Sequence, residues 1–218
     1  MTPLRLYVSV PIASFRVAQA REYWETYPCP PAATVYGMLL SMVGEESRTT
    51  HAGAEVALAM VSEPAKSTVI RTLWRVKKSS SRPGVGENKR PDYQELLTGV
   101  RISVWVRRGG AETAGVSLAE RLAAALENPA ALERFGGLSL GESTHIIDEA
   151  RQWRGSDPHE GRMLLNDGAG PLSMPVWPDH VGSAGTRWGQ YRLDDAGVLP
   201  NDPPEHAWTV ICPLVWGV

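Results

Sequence analysis

The chain has 218 residues, of which 43% are apolar and 21% are charged, a composition that supports a buried core and excludes a disordered protein. Its two cysteines, Cys29 and Cys212, lie far apart and outside any metal-ligand spacing, which argues against a disulfide framework and a structural zinc site. No apolar stretch approaches the ~20 residues of a membrane span, so the sequence predicts a cytoplasmic protein that binds no membrane, metal or cofactor.

The formal net charge of −2 hides a strong segregation of charge along the chain. Between Lys66 and Arg108 there are eleven Lys or Arg and three Asp or Glu, which gives this segment a net charge of +8 and leaves −10 on the remainder. Two interpretations follow. The segment is either a solvated hairpin whose charges keep it soluble or a finger that lies along a phosphate backbone.

The first elements in chain order are a strand, an irregular segment and a helix. Apolar and polar residues alternate over 4–10, which predicts a half-buried strand. The following segment, 12–31, is rich in Arg, Tyr and Pro and has no regular period. After Thr34 the apolar residues recur at helical spacing until Gly44, so a short amphipathic helix with a glycine stop is expected.

The basic segment lies within the next group of elements. Strands are predicted at 55–61 and 68–76, followed by a loop dense in Gly, Pro and Ser over 77–91. Alternating apolar residues then predict a strand over 100–106 that pairs with the strand at 68–76. The basic segment is therefore expected to form an inserted hairpin over about 72–106.

The remaining elements begin with a second helix. Ser117 and Glu120 form a capping box ahead of apolar residues at helical spacing. A glycine-rich loop at 136–141 and a short strand at 144–147 follow. The rest of the chain is rich in Gly, Pro, Trp and Asp and ends in an apolar strand over 208–215.

The order of these elements predicts an α+β fold. It matches an RRM-like or ferredoxin-like sheet that carries an inserted basic β-hairpin thumb, a type of sheet that many RNA-binding proteins use. We expect residues 1–148 to form this domain and 149–218 to form a small C-terminal β-rich subdomain.

Two catalytic patterns need to be weighed against binding. The segment GLSLG at 137–141 fits the G-x-S-x-G motif of serine hydrolases, but that motif requires a strand before Ser139 and a helix after it, and the predicted order is reversed. His145 follows the glycine loop and has the chemistry of a general acid or base in a metal-independent ribonuclease. A structural role is the alternative for His145, and a close approach of main-chain N–H groups to a phosphate is the alternative for the loop.

Five segments resemble a known family. They are VPIASFR (10–16), REYWETYPCPP (21–31), TVYGML (34–39), NKRPDYQELLTG (88–99) and GGLSLGES (136–143). They resemble the fifth Cas subunit family, especially its Myxococcus-type branch in type I CRISPR systems, and the similarity runs from about residue 4 to residue 147.

The resemblance implies a RAMP protein with an RRM-like fold that caps one end of the Cascade surveillance complex. Such a protein holds the 5′ handle of the crRNA, with target DNA as an indirect partner. Its thumb lies over the RNA and contacts the adjacent backbone subunit, and the large subunit docks nearby. The basic hairpin corresponds to that thumb, and its charge was identified independently of the resemblance.

The resemblance also implies roles for individual residues. The predicted phosphate contacts are Arg16 and Arg21; the predicted stacking residues are Phe15, Tyr23, Trp24 and Tyr27; the predicted thumb contacts are Lys77, Lys78, Arg82, Lys89 and Arg90; and Gly136, Gly137, Gly141 and Ser143 would present main-chain amides. The alternative for each is a solvated charge or a core aromatic residue.

One branch of the family, in type I-C systems, resembles a nuclease that uses Tyr, Lys and His to cut precursor crRNA. Here Lys77 and Lys78 are present, but the basic segment contains no His. The sequence therefore predicts a non-catalytic binding subunit, with metal-independent processing of precursor crRNA as the alternative.

Overall fold

A mostly antiparallel sheet and two helices make up the computed structural model, which describes residues 2–134, 136–181 and 184–214. The strands are β1 (Leu4–Ala13), β2 (Tyr23–Trp24), β3 (Glu55–Met60), β4 (Ala65–Trp74), β5 (Lys89–Arg107), β6 (Glu149–Gln152), β7 (Glu160–Asn166), β8 (Leu172–Trp177), β9 (Arg187–Leu193), β10 (Gly197–Val198) and β11 (Thr209–Val210). The helices are α1 (Ala32–Met42) and α2 (Leu118–Glu127). No helix in the described part of the chain is long and apolar enough to cross a membrane.

The central strand of the sheet is β5, which has 19 residues. It pairs antiparallel with β1 on one side and with β3 on the other, and the strand order is β6-β1-β5-β3-β7-β9-β8. Alternate residues of β1, β3 and β5 join both helices in one core, because a strand directs every second side chain to the same face. This arrangement confirms the predicted α+β class with an RRM-like sheet.

Both helices follow their local sequence signals. The chain enters α1 from Pro30 and Pro31, whose rigid backbone delivers it directly into the helix, and leaves it before Gly44, whose φ of 65° favours glycine. The predicted capping box begins α2. The Ser117 hydroxyl accepts from the Glu120 N–H at 3.3 Å, and the Glu120 carboxylate accepts from the Ser117 N–H at 2.7 Å.

The hairpin is displaced along the chain from its predicted position. Strand β4 pairs with the first half of β5, from Ala65 opposite Thr98 to Trp74 opposite Lys89, so the paired arm spans 65–98 and the predicted bounds of 72–106 are wrong. Residues 100–106 instead lie in the main sheet between β1 and β3. The predicted loop at 77–91 covers only the first three residues of β5, and the sequence predicts no element over 92–99, where β5 continues. We call the hairpin 65–98 the arm.

The C-terminal part of the chain extends the same sheet. Strand β6 pairs with β1, while β7 and β11 pair with β3, so the boundary at 148 remains a prediction. The predicted strand at 144–147 is wrong, because only an isolated bridge joins Ser139 to Ile146 there. Of the predicted strand at 208–215, only Thr209 and Val210 form a strand, β11. Residue 215, the last of that prediction, lies outside the described residues.

Candidate nucleic-acid interface

The tip of the arm is organised by one buried amide. Asn88 is 1% exposed, and its Oδ1 accepts from the N–H groups of Lys77 and Lys78 at 2.8 and 2.9 Å. Its Nδ2 donates to the carbonyls of Lys78 and Ser81 at 2.9 and 2.7 Å. A single side chain thus replaces the missing ladder hydrogen bonds of the loop, and it gives a segment rich in Gly and Ser a fixed path.

Positive charge remains available at this tip. Lys77 lies 3.3 Å from Glu87, and Arg90 lies 2.7 Å from Asp92. The side chains of Lys78, Arg82 and Lys89 are exposed and have no ion-pair partner among the described residues. Because these three charges are not neutralised within the chain, they are available to an external anion.

The arm has an outer face that carries exposed aromatic and apolar side chains. Tyr93 pairs directly with Ile70 across the hairpin and stacks on Tyr23, with ring centroids 6.3 Å apart. Trp74 lies further out on the same face and is 73% exposed. We call this set, Tyr23, Ile70, Trp74 and Tyr93, the outer face of the arm. Exposed aromatic residues grouped in this way are typical of surfaces that stack on bases or bind protein.

The opposite, inner face of the arm joins the glycine loop. Arg71 donates to the Glu142 carboxylate at 3.0 Å and to the side-chain amide oxygen Oε1 of Gln94 at 2.5 Å. The Gln94 amide also donates to Glu142, at 2.5 Å. Since Glu142 follows Gly141, this triangle fixes the base of the arm against the loop.

An aromatic ring with two arginines lies beside that triangle. The guanidinium of Arg16 is 4.2 Å from the centre of the Trp24 ring, and that of Arg71 is 5.4 Å away, both within the range of cation–π attraction. The Trp24 Nε1–H is buried and has no acceptor among the described residues. A buried donor without an acceptor is rare in folded proteins.

The glycine loop packs tightly at one end and is open at the other. Gly141 has a φ of 100°, and a Cβ there would lie 2.7 Å from the Ser14 carbonyl oxygen. Gly136 has a φ of 69° with open space around its Cα, and Gly137 and Ser143 are also exposed. Main-chain amides at 136 and 137 are therefore accessible from solvent, whereas Gly141 serves close packing.

His145 holds this loop in place. It is buried, and its Nδ1 accepts from the Ser14 and Glu142 N–H groups, each at 3.2 Å. Burial of the ring lowers the pKa of His145 below its ordinary value, which favours the neutral ring that this acceptor role requires. These contacts assign His145 a structural role in the loop.

Two of the predicted stacking residues have no accessible ring. Phe15 is 3% exposed and Tyr27 is 5% exposed, and the Tyr27 hydroxyl donates to the Ser173 carbonyl. Both rings belong to the main core, so the prediction that they stack on RNA bases is wrong. Arg16 and Arg21 are exposed, as a phosphate contact requires.

Three residues of the interface were not identified from the sequence. Arg71, Tyr93 and Glu142 make its main contacts. Successive side chains of a strand lie on opposite faces, so the predicted strand at 68–76 already separates Arg71 from Ile70. Tyr93 and Glu142 depend on the register of β5 and on the position of the loop, which no local pattern indicates.

The G-x-S-x-G pattern has none of the surroundings of a nucleophile elbow. Ser139 forms an isolated bridge with Ile146, and no helix follows it before β6 in the described chain. The required order of strand, turn and helix is missing around Ser139.

Comparison with known proteins finds a relative in sequence and several solved structures with a similar fold. No protein-family model matches the chain. It is 42% identical over 199 residues to the CRISPR-associated protein Cas5 of Myxococcus xanthus (strain DK1622), and the alignment covers 91% of this chain and 93% of that protein.

Solved structures share the fold at low sequence identity, as two of them illustrate. One, titled CRISPR RNA-guided surveillance complex, has a TM-score of 0.61 and 13% identity, over 94% of this chain and 95% of that chain. The other, titled Crystal structure of Cas protein, has a TM-score of 0.53 and 14% identity, over 91% and 95% of the two chains. The extent of the match in sequence establishes that the chain belongs to the Cas5 family of CRISPR-associated proteins.

Proposed function

We propose that this chain is the subunit of a type I Cascade complex that binds and caps the 5′ handle of the crRNA. The observation that carries the proposal is the base of the arm, where the Trp24 ring lies within cation–π range of both Arg16 and Arg71, beside the glycine loop. Single-stranded RNA is recognised by aromatic rings that stack on bases and by cations that contact phosphates. Both kinds of group meet at this point.

The RNA backbone would continue from the base along the arm. Lys78, Arg82 and Lys89 supply unpaired positive charge at the tip. Lys77 and Arg90 each give up an ion pair, with Glu87 and Asp92, when they contact a phosphate, so each contributes less binding free energy. Arg21, Ser143 and the amides of the glycine loop would complete the contacts at the base.

The remaining exposed surfaces of the arm suit protein neighbours. The outer face presents Ile70 at 67% and Trp74 at 73% exposure, and aromatic residues of this kind are enriched at protein interfaces. We assign this face to the adjacent backbone subunit. The large subunit docks elsewhere on the chain, and target DNA is reached through the guide RNA.

Reversal of charge at the arm tip tests the proposal. The triple variant Lys78→Glu, Arg82→Glu and Lys89→Glu is compared with Arg101→Glu, Arg134→Glu and Arg154→Glu, which makes the same charge change at exposed positions off the arm. Each protein is co-expressed with its neighbouring genes and a CRISPR array, and the bound RNA is sequenced from its 5′ end.

We expect wild-type protein and the control to retain RNA with one uniform, repeat-derived 5′ end. The arm variant should lose most of it and, with purified RNA, show a salt dependence of binding reduced by about 2 in log–log slope, since each single-stranded phosphate contact contributes about 0.7. Equal RNA retention by the arm variant and the control would reject the arm as the RNA-binding surface.

A further inference from the structure

One edge of the arm lies open along its whole length. Strand β4 pairs with β5 on one side, and no other strand pairs with it in the described part of the chain. The preceding strand, β3, differs, because β7 and β11 cover the edge of β3 that faces away from β5. The free edge of β4 is ten residues long, from Ala65 to Trp74, and spans about 30 Å at about 3.3 Å per residue.

Two main-chain hydrogen bonds show which groups lie on the free edge. Tyr93 is opposite Ile70 in the hairpin, and its N–H donates away from β4, to the Glu22 carbonyl at 3.1 Å. Just beyond the last pair, the Arg75 N–H donates across the hairpin to the Asn88 carbonyl at 3.0 Å. Since hydrogen-bonded and non-hydrogen-bonded pairs alternate in an antiparallel ladder, the odd-numbered residues of β4 bond to β5. The free edge therefore carries the N–H and carbonyl groups of the even-numbered residues: Lys66, Thr68, Ile70, Thr72 and Trp74.

The free edge of β4 lacks the features that usually protect an edge strand from pairing. Such features are prolines, β-bulges, charged side chains and covering segments. Strand β4 contains no proline, and its ten pairs with β5 follow one register without a shift. Its two charged side chains are engaged in ion pairs, Lys66 with Glu95 and Arg71 with Glu142, each at 3.0 Å. The edge is therefore open to the addition of a strand.

The strands at the two ends of the sheet are less open than β4. Strand β6 has four residues, and β8 has six and contains Pro175. Helix α1 also packs against β8. A short strand or a proline limits pairing with another chain, so β4 offers more main chain to a partner than either of them.

The chemistry of the free edge selects a polypeptide as its partner. Donors and acceptors alternate along the edge, and an extended main chain presents the matching series. A phosphate backbone only accepts hydrogen bonds, so the outward carbonyls of β4 would repel it. Ile70 and Trp74 are 67% and 73% exposed on the outer face, where the side chains of an added strand would lie next to theirs. The partner strand is therefore expected to be apolar at alternate positions.

The charge of the arm disfavours a second copy of this chain as that partner. The arm, 65–98, contains eight Lys or Arg and three Asp or Glu, which gives it a net charge of +5. Pairing of β4 with β4 would place two such arms side by side, and like charges oppose association. The edge is therefore better suited to a strand from a different protein.

We propose that the free edge of β4 adds a strand from another protein subunit of the same assembly, extended and apolar at alternate positions. The inference rests on the proposed function for the presence of a protein neighbour at the outer face of the arm. It adds the mode of contact: main-chain hydrogen bonds hold the neighbour, and Ile70 and Trp74 contact its apolar side chains. The inner face, with Arg71, remains available to RNA.

The first test removes one hydrogen-bond donor from the edge. Thr72→Pro deletes an outward N–H and leaves the ladder with β5 intact, because proline is tolerated in an edge strand where the N–H faces solvent. Thr72→Ala is the matched control, since it shortens the same exposed side chain and keeps the N–H. Each chain is tagged and co-expressed with its neighbouring genes and a CRISPR array, and the co-purified subunits and RNA are quantified. Thermal melting of each isolated variant checks that it folds.

The second test measures amide exchange, resolved to single residues, in the wild-type chain. In the isolated chain, the inward amides of 69, 71 and 73 should exchange slowly and the outward amides of 68, 70 and 72 rapidly. In the purified assembly the outward amides should slow at least tenfold, and RNase treatment should leave that protection in place. This alternation is specific to strand pairing, since contact with one face of the arm does not select every second amide.

We expect Thr72→Pro to reduce the amount of one co-purified protein subunit at least fivefold relative to Thr72→Ala, while RNA with the repeat-derived 5′ end stays bound. Retention of every subunit by the folded Thr72→Pro chain overturns the proposal, as does rapid exchange of the outward amides in the assembly. Protection that RNase abolishes would assign the edge to RNA, and protection in a dimer of the isolated chain would assign it to a second copy; either result rejects the proposal. If Thr72→Pro does not fold, the exchange pattern alone decides.

The outcomes separate this inference from the proposed function. If the wild-type preparation contains no repeat-derived RNA but a subunit is still lost from Thr72→Pro, the RNA role fails and strand addition stands. If repeat-derived RNA is bound and no subunit depends on the Thr72 N–H, the reverse holds. If no protein subunit co-purifies with the wild-type chain, strand addition is rejected.

Discussion

The two halves of β5 place one continuous strand in opposite environments. Residues 100–107 lie between β1 and β3, and Val100, Ile102 and Val104 are fully buried. Residues 89–98 leave the sheet with β4 as their main partner, and most of their side chains are polar or exposed. We refer to these as the inner and outer halves of β5.

The difference indicates that the inner half of β5 contributes mainly to the stability of the fold and the outer half mainly to binding. The inner half is stabilised by apolar burial on both faces of a sheet, an effect proportional to the area removed from water. The outer half has few apolar neighbours, so hydrogen bonds such as those of Asn88 and Glu95 must fix its shape. A segment held in that way can present charge and aromatic rings to a partner, and changes in it should affect binding more than folding.

The largest effect is expected from a cavity in the inner half. Ile102→Ala removes a fully buried side chain at the centre of the sheet, and substitutions of this kind cost about 2–5 kcal/mol of unfolding free energy. Urea unfolding followed by circular dichroism measures the change. A loss below about 1 kcal/mol would contradict the description of the inner half as core.

The same division explains which parts of the fold can be predicted from the sequence. The alternation over 4–10, the helical spacing before Gly44 and the Ser117 capping box are local signals, and the corresponding elements are present. The outer half of β5 has no such signal, because its buried side chains include the polar residues Asp92 and Gln94, so burial does not follow an apolar pattern. The sequence therefore predicts a loop over 77–91 and no strand over 92–99, where the chain forms the outer half of β5.

Some features of the candidate site can likewise be predicted from the sequence, and others depend on tertiary contacts. Residue type predicts the charge of the arm, since net charge requires no knowledge of contacts. It cannot distinguish Tyr27, which lies in the core, from Tyr23, which is 44% exposed four residues earlier. That difference depends on the packing of an irregular segment against the sheet. The contact of Arg71 with Glu142 joins residues 71 positions apart, and such pairings depend on the whole topology.

A smaller and more local effect is expected at the arm tip. Asn88→Ala removes the side-chain hydrogen bonds that shape the loop, which destabilises the tip locally by about 1–3 kcal/mol. Amide exchange over 75–88 should accelerate and RNA affinity should fall, while the urea midpoint stays near that of the wild type. Ser80→Ala, at an exposed position of the same loop, is the control. A large drop in the urea midpoint for Asn88→Ala would show that the tip and the sheet unfold together.

A pH-dependent effect is expected in the outer half of β5, at Glu95. Burial opposes the charge of Glu95, but the Thr26 N–H and the Lys66 ammonium, each 3.0 Å from Oε2, outweigh it and hold the pKa of Glu95 below its ordinary value of 4.5. A depressed folded-state pKa contributes stability above the unfolded pKa, and that stability is lost as the pH falls below about 4.5.

The variant Glu95→Gln should therefore be less stable than the wild type by about 1 kcal/mol at pH 7. The difference should narrow as the pH is lowered from 5 to 3. Urea unfolding across this range measures it, with the exposed Glu63→Gln as a control for removing a carboxylate. A difference that is constant with pH would mean that the ionised form of Glu95 does not stabilise the base of the arm.

The smallest effect on stability is expected on the outer face of the arm. Ile70 pairs with Tyr93 but is 67% exposed, so Ile70→Ala should change the unfolding free energy by less than about 0.5 kcal/mol. If the outer face binds a protein neighbour, the same variant should still reduce incorporation of the chain into the assembly, which co-purification measures. A loss of stability similar to that of Ile102→Ala would show that the arm has a hydrophobic core of its own. The division of β5 into a folding half and a binding half would then fail, because apolar burial would stabilise both.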